Sequence, residues 1–98
     1  MPWICAINVE EIVRGARSDE EKTITRFLRG MRLAPIGLEE AERAGGWRRE
    51  HAQRGVTLSQ SDCLIAAAAV GVGIPLATGN PKHFPMGELD LQHWPVGR

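Results

Sequence analysis

The sequence predicts an α/β sandwich in which helices flank a short, mostly parallel sheet, and three observations carry that reading. The apolar run of residues 3–7 shows no polar alternation, as expected of a strand buried on both faces, and residues 74–78 read as a second short strand. Helical patterns fill the stretch between them. Residues 63–72 are apolar nearly all round, which marks a helix buried against a sheet. Ninety-eight residues make one domain, 1–98.

The elements follow in order. Trp3-Ile4-Cys5-Ala6-Ile7 is a strand, and Asn8 then caps a short helix over 9–16 with Gly15 near its end. Ser18 or Asp19 opens a second helix. Ile24, Phe27, Leu28 and Met31 recur at i, i+3, i+4, i+7 and define its core stripe. Residues 33–36 form a short extended piece whose Pro35 suits an edge. A Glu-, Ala- and Arg-rich helix over 38–54 is interrupted by Gly45-Gly46, buries Trp47 in the core or an interface, and ends at Gly55. Ser59-Gln60-Ser61-Asp62 opens the apolar helix, whose four consecutive alanines permit close packing. After the strand over 74–78, Gly79-Asn80-Pro81 turns into a helical turn through Phe84. Residues 89–91 form a last edge strand ahead of a loose tail.

Composition sets further bounds. Apolar residues make up 43% and charged residues 24%, which excludes a disordered acidic tail, a collagen-like repeat and a coiled coil. Twelve basic residues balance twelve acidic ones, so any nucleic-acid contact rests on local patches. One such patch lies between Ile12 and Gly37, where six basic residues face three acids. Within it Lys22, Arg26 and Arg29 form a ridge that either follows an RNA backbone or is the solvated back of a helix. Arg14 lies one turn beyond Glu11. No basic leader precedes the first apolar run, so the expectation is a cytoplasmic chain without signal peptide, its Cys5 and Cys63 reduced core thiols.

Right-handed crossovers bring the ends of the two apolar strands, near Asn8 and Thr78, to one edge of the sheet. The polar groups there are Asn8, Glu10, Glu11, Asp62, Thr78 and Asn80. Hard divalent cations take oxygen ligands, and two carboxylates from separate elements converging above a parallel sheet hold one. Such a metal activates water and clamps a phosphodiester. The same residues also have a plainer reading. Asn8 to Glu11 and Ser59 to Asp62 both have capping-box spacing, and the macrodipole favours acids in a first helical turn. His51 reads as solvated, and His83 and His93 as too isolated to be ligands. Nucleophilic catalysis by Ser/His or Cys/His has no support in the sequence.

Three segments carry a resemblance. Glu11-Ile12-Val13-Arg14-Gly15 resembles the E-L-x-x-G element of PIN-domain nucleases. Leu58 to Ala69, with Asp62 at its head, is similar to their D-x-x-I-A-A-x-A helix. Leu76-Ala77-Thr78-Gly79-Asn80-Pro81-Lys82-His83-Phe84 resembles their T-x-N/D-x-x-x-F turn. The order matches and spans nearly the whole chain, with spacing most similar to the VapC toxins of bacterial toxin–antitoxin modules. The resemblance implies a PIN-like three-layer sandwich and a Mg²⁺- or Mn²⁺-dependent endoribonuclease. It makes Glu11 and Asp62 metal ligands, with Thr78 and Asn80 orienting the cluster as further catalytic residues. It further implies a homodimer, and an antitoxin seated in a groove formed by the apolar face of the 19–31 region with the following helix, while Arg14, Lys22, Arg26 and Arg29 are the candidate RNA contacts that the local charge offers. No membrane partner is expected.

The departure from the family pattern is equally specific. PIN domains begin with a central strand that ends in an Asp, the first metal ligand, and nothing before Glu11 supplies that acid. The resemblance therefore implies an N-terminally truncated domain, short by roughly 30 residues of strand and helix. Two sheet edges are then expected to stand unpaired beside a slot in the core. On this ground the rival reading is a catalytically inactive module that sequesters an antitoxin or pairs with a homologous toxin.

Overall fold

A computed structural model describes residues 3–78 and 80–93, with the side chain of His93 excepted. The chain runs β1 (Trp3–Cys5), α1 (Ala6–Gly15), a 3-10 turn (Ser18–Glu20), α2 (Glu21–Arg29) and β2 (Arg32–Ala34). It continues through α3 (Leu38–Ala52), α4 (Gln60–Val72), β3 (Leu76–Thr78), a 3-10 turn (Pro81–His83) and β4 (Leu91–His93). The α/β class is as expected, and every strand pair is parallel. The expected single sheet is instead two separate ladders. In one, β1 pairs with β2, with Ile4 opposite Leu33; in the other, β3 pairs with β4, with Ala77 opposite Gln92. The last strand thus starts where the predicted 89–91 strand ends, and Leu89 is a buried core residue. The expected tail lies beyond the described residues.

α4 is the centre. Ser59 holds an extended backbone and its Oγ accepts the Asp62 N–H at 3.0 Å, satisfying one of the unpaired donors of the first turn. The helix ends at Gly73, whose φ of 72° is a left-handed cap that glycine adopts without a Cβ clash. Between these caps Cys63 and Ala66–Ala69 are buried. Ala66, Ala67 and Ala69 pack into the larger core with Ala44, Trp47, Leu58, Phe84, Met86 and Leu89. Ala68 faces the smaller one, with Cys5 and Ala34.

α3 packs along α4 and runs unbroken through Gly45-Gly46, against expectation. Two internal glycines cost about 1 kcal/mol each relative to alanine, and burial of Ala44 and Trp47 against α4 offsets that. The Trp47 ring is 4% exposed, and its indole N–H donates to Glu88 Oε1 at 2.6 Å. Glu88 Oε2 accepts from Arg43 at 2.9 Å, so α3 clasps the segment before β4 from two positions. His51 is half-buried rather than solvated, its Nδ1 lying 2.9 Å from the Trp47 carbonyl one turn earlier.

The first helix starts earlier than its apparent cap. Cys5 is the extended residue before it, and Asn8 lies inside the first turn. Starting at Ala6 lets Ile7 pack on the Cys5–Ala34–Ala68 cluster, and that contact outranks the capping signal of Asn8. In the second helix Ile24, Leu28 and Met31 of the predicted stripe are half-buried, but Phe27 is 62% exposed. α2 packs on α1 and the preceding turn, and the Phe27 ring stays largely uncovered by the described residues. β2 stops before Pro35, which has no N–H for a ladder. Its Arg32 lies over the Trp3 ring opposite, 4.8 Å from the centroid, a cation–π pair across the ladder.

Two glycine substitutions are expected to move stability in opposite directions. Gly45→Ala, where an added Cβ meets nothing within 4 Å, stabilises by about 0.5–1 kcal/mol. Gly73→Ala, forced into positive φ, destabilises by about 1 kcal/mol. Urea unfolding followed by circular dichroism measures both.

Candidate active site

The capped N-terminus of α4 and the turn after β3 meet. Asp62 is the third residue of α4, and its half-buried side chain is 26% exposed. Ser59 fixes its backbone, and the carboxylate extends toward the turn, where Oδ2 lies 3.5 Å from His83 Nδ1. The turn itself is tightly built. Thr78, half-buried at the end of β3, accepts the Asn80 N–H on Oγ1 at 3.0 Å. Asn80 precedes Pro81, and its carbonyl accepts the His83 N–H at 3.0 Å. The Pro81 carbonyl accepts the Phe84 N–H at 3.0 Å, and Phe84 is buried in the larger core. Thus Asp62 approaches, through His83, the turn that carries Thr78 and Asn80.

His83, expected to be isolated, lies beside Asp62. It looked isolated because its partner lies far upstream on another element. The signal available was its place three residues after Asn80, where a proline-started helical turn swings the side chain back toward the cap.

Glu11 is placed differently from expectation. Because α1 begins at Ala6, Glu11 falls in the second helical turn instead of at N3, and Asn8 is not its cap. It is exposed and makes no hydrogen bond or ion pair among the described residues. Glu10 is likewise exposed, while Asn8 borders a cleft described below. Arg14 lies in the last turn of α1 and is exposed. Lys22, Arg26 and Arg29 do share a face, lining an open hollow of about 600 Å³ on α2 with Glu21 and Thr25.

Asp62, Thr78 and Asn80 offer oxygen donors, the kind that hard divalent cations take, but no hydrogen bond or ion pair among the described residues joins Glu11 to that set. In number it is short. Among the described residues no group of three or more His, Cys, Asp or Glu side chains is placed to hold a metal. Behind the site Cys63 is fully buried. Burial pushes its thiol pKa above the ordinary 9.0; Arg48 pulls it down and Asp62 pushes it further up. It is a core group with no part in the chemistry.

A cleft of about 260 Å³ separates the two ladders. It is bordered by Ile4, Cys5 and Asn8 on one side, Leu76 and Ala77 on the other, and Ile65, Ala68 and Ala69 of α4. Among the described residues each ladder has two strands, so β1 and β3 each have an edge without a described ladder partner.

The profile of the PIN-domain family matches residues 2–86. The chain belongs to the PIN-domain family. This PIN domain is 34% identical over 85 residues to Ribonuclease VapC10 of Mycobacterium tuberculosis, in an alignment covering 87% of the chain and 64% of that relative. It therefore spans just under two thirds of the relative's length. Among solved structures it is similar to VapBC2 from Rickettsia felis, bound to a DNA fragment from their promoter. There the identity is 25% and the TM-score 0.75, over 93% of this chain and 73% of that one. VapBC-1 from nontypeable Haemophilus influenzae superposes with a TM-score of 0.82 at 20% identity, over 95% of this chain and 74% of that one, a likeness of fold.

Two measurements probe this PIN domain's site. Ser59→Ala, which removes the cap of α4, is expected to cost about 1 kcal/mol in chemical unfolding. The raised Cys63 pKa stabilises the fold fully below the ordinary thiol pKa, and that stability is lost as pH rises above it, because the unfolded chain ionises first. Melting temperature is therefore expected to fall above pH 9.0, and to fall less in Cys63→Ala.

Proposed function

We propose that this PIN domain is the toxin of a toxin–antitoxin pair and cleaves RNA as a divalent-metal-dependent endoribonuclease. The single observation that carries this reading is the junction of Asp62 with the Thr78–Asn80–His83 turn, in a chain whose relative is named a ribonuclease. In this reading Asp62 and Glu11 hold Mg²⁺ or Mn²⁺. When bound, the ion supplies Lewis-acid stabilisation and an activated water. Thr78 keeps the Asn80 backbone in place, and the Asn80 amide orients the polar shell without adding charge. Arg14, Lys22, Arg26 and Arg29 contact the RNA backbone, whose phosphates their guanidinium and ammonium groups neutralise.

The short donor set calls for one more carboxylate. The cleft between β1 and β3 supports its delivery on an extended strand that completes the sheet and ends beside the Asp62 turn. An apolar groove of about 400 Å³, lined by Val9 and Val13 of α1, Leu28 of α2, Met31 and Leu33, supports the antitoxin as partner. It is formed with α1 rather than with the helix after the 19–31 region. Homodimerisation and a cytoplasmic setting complete the proposal; no described helix is long and apolar enough to cross a membrane.

A second reading is favoured by the shortage of ligands: a module that binds an antitoxin or a homologous toxin without cleaving RNA. Cleavage assays decide between them. The 98-residue chain is expected to cleave a structured RNA pool weakly or not at all in Mn²⁺. A version extended upstream by a strand ending in Asp is expected to cleave, and Asp62→Asn in that version is expected to lower the rate at least 100-fold, about 3 kcal/mol of transition-state stabilisation. Equal cleavage by the chain and its extension refutes the strand-completion idea. An inactive extension leaves the binding module.

A further inference from the structure

We propose that the cleft between β1 and β3 captures an extended apolar segment of a separate polypeptide by pairing with both its walls, an inference that rests on the strand-completion reading above. The hydrogen bonds of β3 show which way its backbone is turned. The Leu76 N–H donates to the Asp90 carbonyl at 2.8 Å, on the β4 side. Successive residues of a strand turn their N–H and C=O to opposite edges. Ala77, next in β3, therefore turns both groups toward the cleft that it lines, where they have no ladder partner among the described residues. Across the cleft the same alternation turns at least one of Trp3, Ile4 and Cys5 away from β2. Two unpaired edges facing one hollow require an extended backbone, the ligand that satisfies donors and acceptors on both sides at once. The lining sets its side chains. No charged residue borders the cleft among the described residues, and Asn8 is the one amide there. Ala68 and Ala69 of α4 present only methyl groups, which leaves room for β-branched side chains at alternate positions of the incoming strand.

The probe is a dye-labelled, end-blocked peptide of alternating valine and threonine with a lysine at each end, its anisotropy followed as the 98-residue chain is added. Saturable binding is expected. N-methylation of alternate peptide residues removes the donors of one edge and is expected to weaken binding about tenfold. Ala77→Pro, which deletes the inward N–H and leaves the β4 ladder its donors, is expected to do the same. Ala77→Thr keeps that N–H and is expected to bind as the native chain does. The N-methylated peptide decides the matter even where Ala77→Pro unfolds. No binding, or binding indifferent to N-methylation, overturns the proposal. So does dimerisation of the chain that the peptide dissolves, which gives the cleft to a second copy. The upstream-extended version carries its own strand and is expected to exclude the peptide. If it cleaves RNA while the 98-residue chain binds no peptide, only the capture of a separate strand falls. If it excludes the peptide yet cleaves no RNA, the catalytic reading falls and the strand site stands.

Discussion

Everything in this fold is referred to one helix surface: the run of small side chains on α4. Alanine at four successive positions presents the helix backbone to its surroundings on more than one side. Ala66, Ala67 and Ala69 meet α3 and the C-terminal segment, and Ala68 meets Cys5 and Ala34 of the other ladder. Bulkier residues would hold the neighbouring elements further off and spoil contacts on both sides, since interiors tolerate little added volume. The polar site inherits its place from this arrangement. Asp62 stands at the mouth of the helix because Ser59 starts it there, and the Thr78–Phe84 turn reaches the same point because β3 and Phe84 are both seated against the helix.

Residues that act through local chemistry were legible in the sequence. The Ser59–Asp62 opening and the apolar run after it set α4 to within a few residues. β1 was legible from its unbroken apolar run. Two misreadings have a common cause, which is tertiary contact overriding a local signal. Asn8 and Glu11 carry the spacing of a cap, yet the contact of Ile7 with the smaller core starts α1 at Ala6 and turns Glu11 outward. Gly45-Gly46 reads as a break, yet Ala44 and Trp47 on either side bury deeply enough to carry the helix across it.

The site was legible to a different degree at each position. Asp62, Thr78 and Asn80 were singled out by motif, and Asp62 does approach the turn that carries the other two. The approach of His83 to Asp62 was not legible, because it is made across space and leaves no periodic trace. The Glu88 clasp on Trp47 and Arg43 was invisible for the same reason. Side-chain pairs between distant segments are the part of a structure that pattern arguments reach last.

The division of the buried residues between two unequal clusters bears on how the molecule comes apart. α1 and α2 contain no buried residue, and the β1–β2 half adds only Cys5 and Ala34 to the face offered by Ala68. The α3–β3–β4 half holds the deeper cluster and the Glu88 clasp. Regions with few buried contacts open at lower free energy than the rest. Amide protons of β1 and β2 would then exchange with solvent through excursions that leave α3 and α4 folded, giving a chain of this size two rungs of protection where a single cooperative unit would have one.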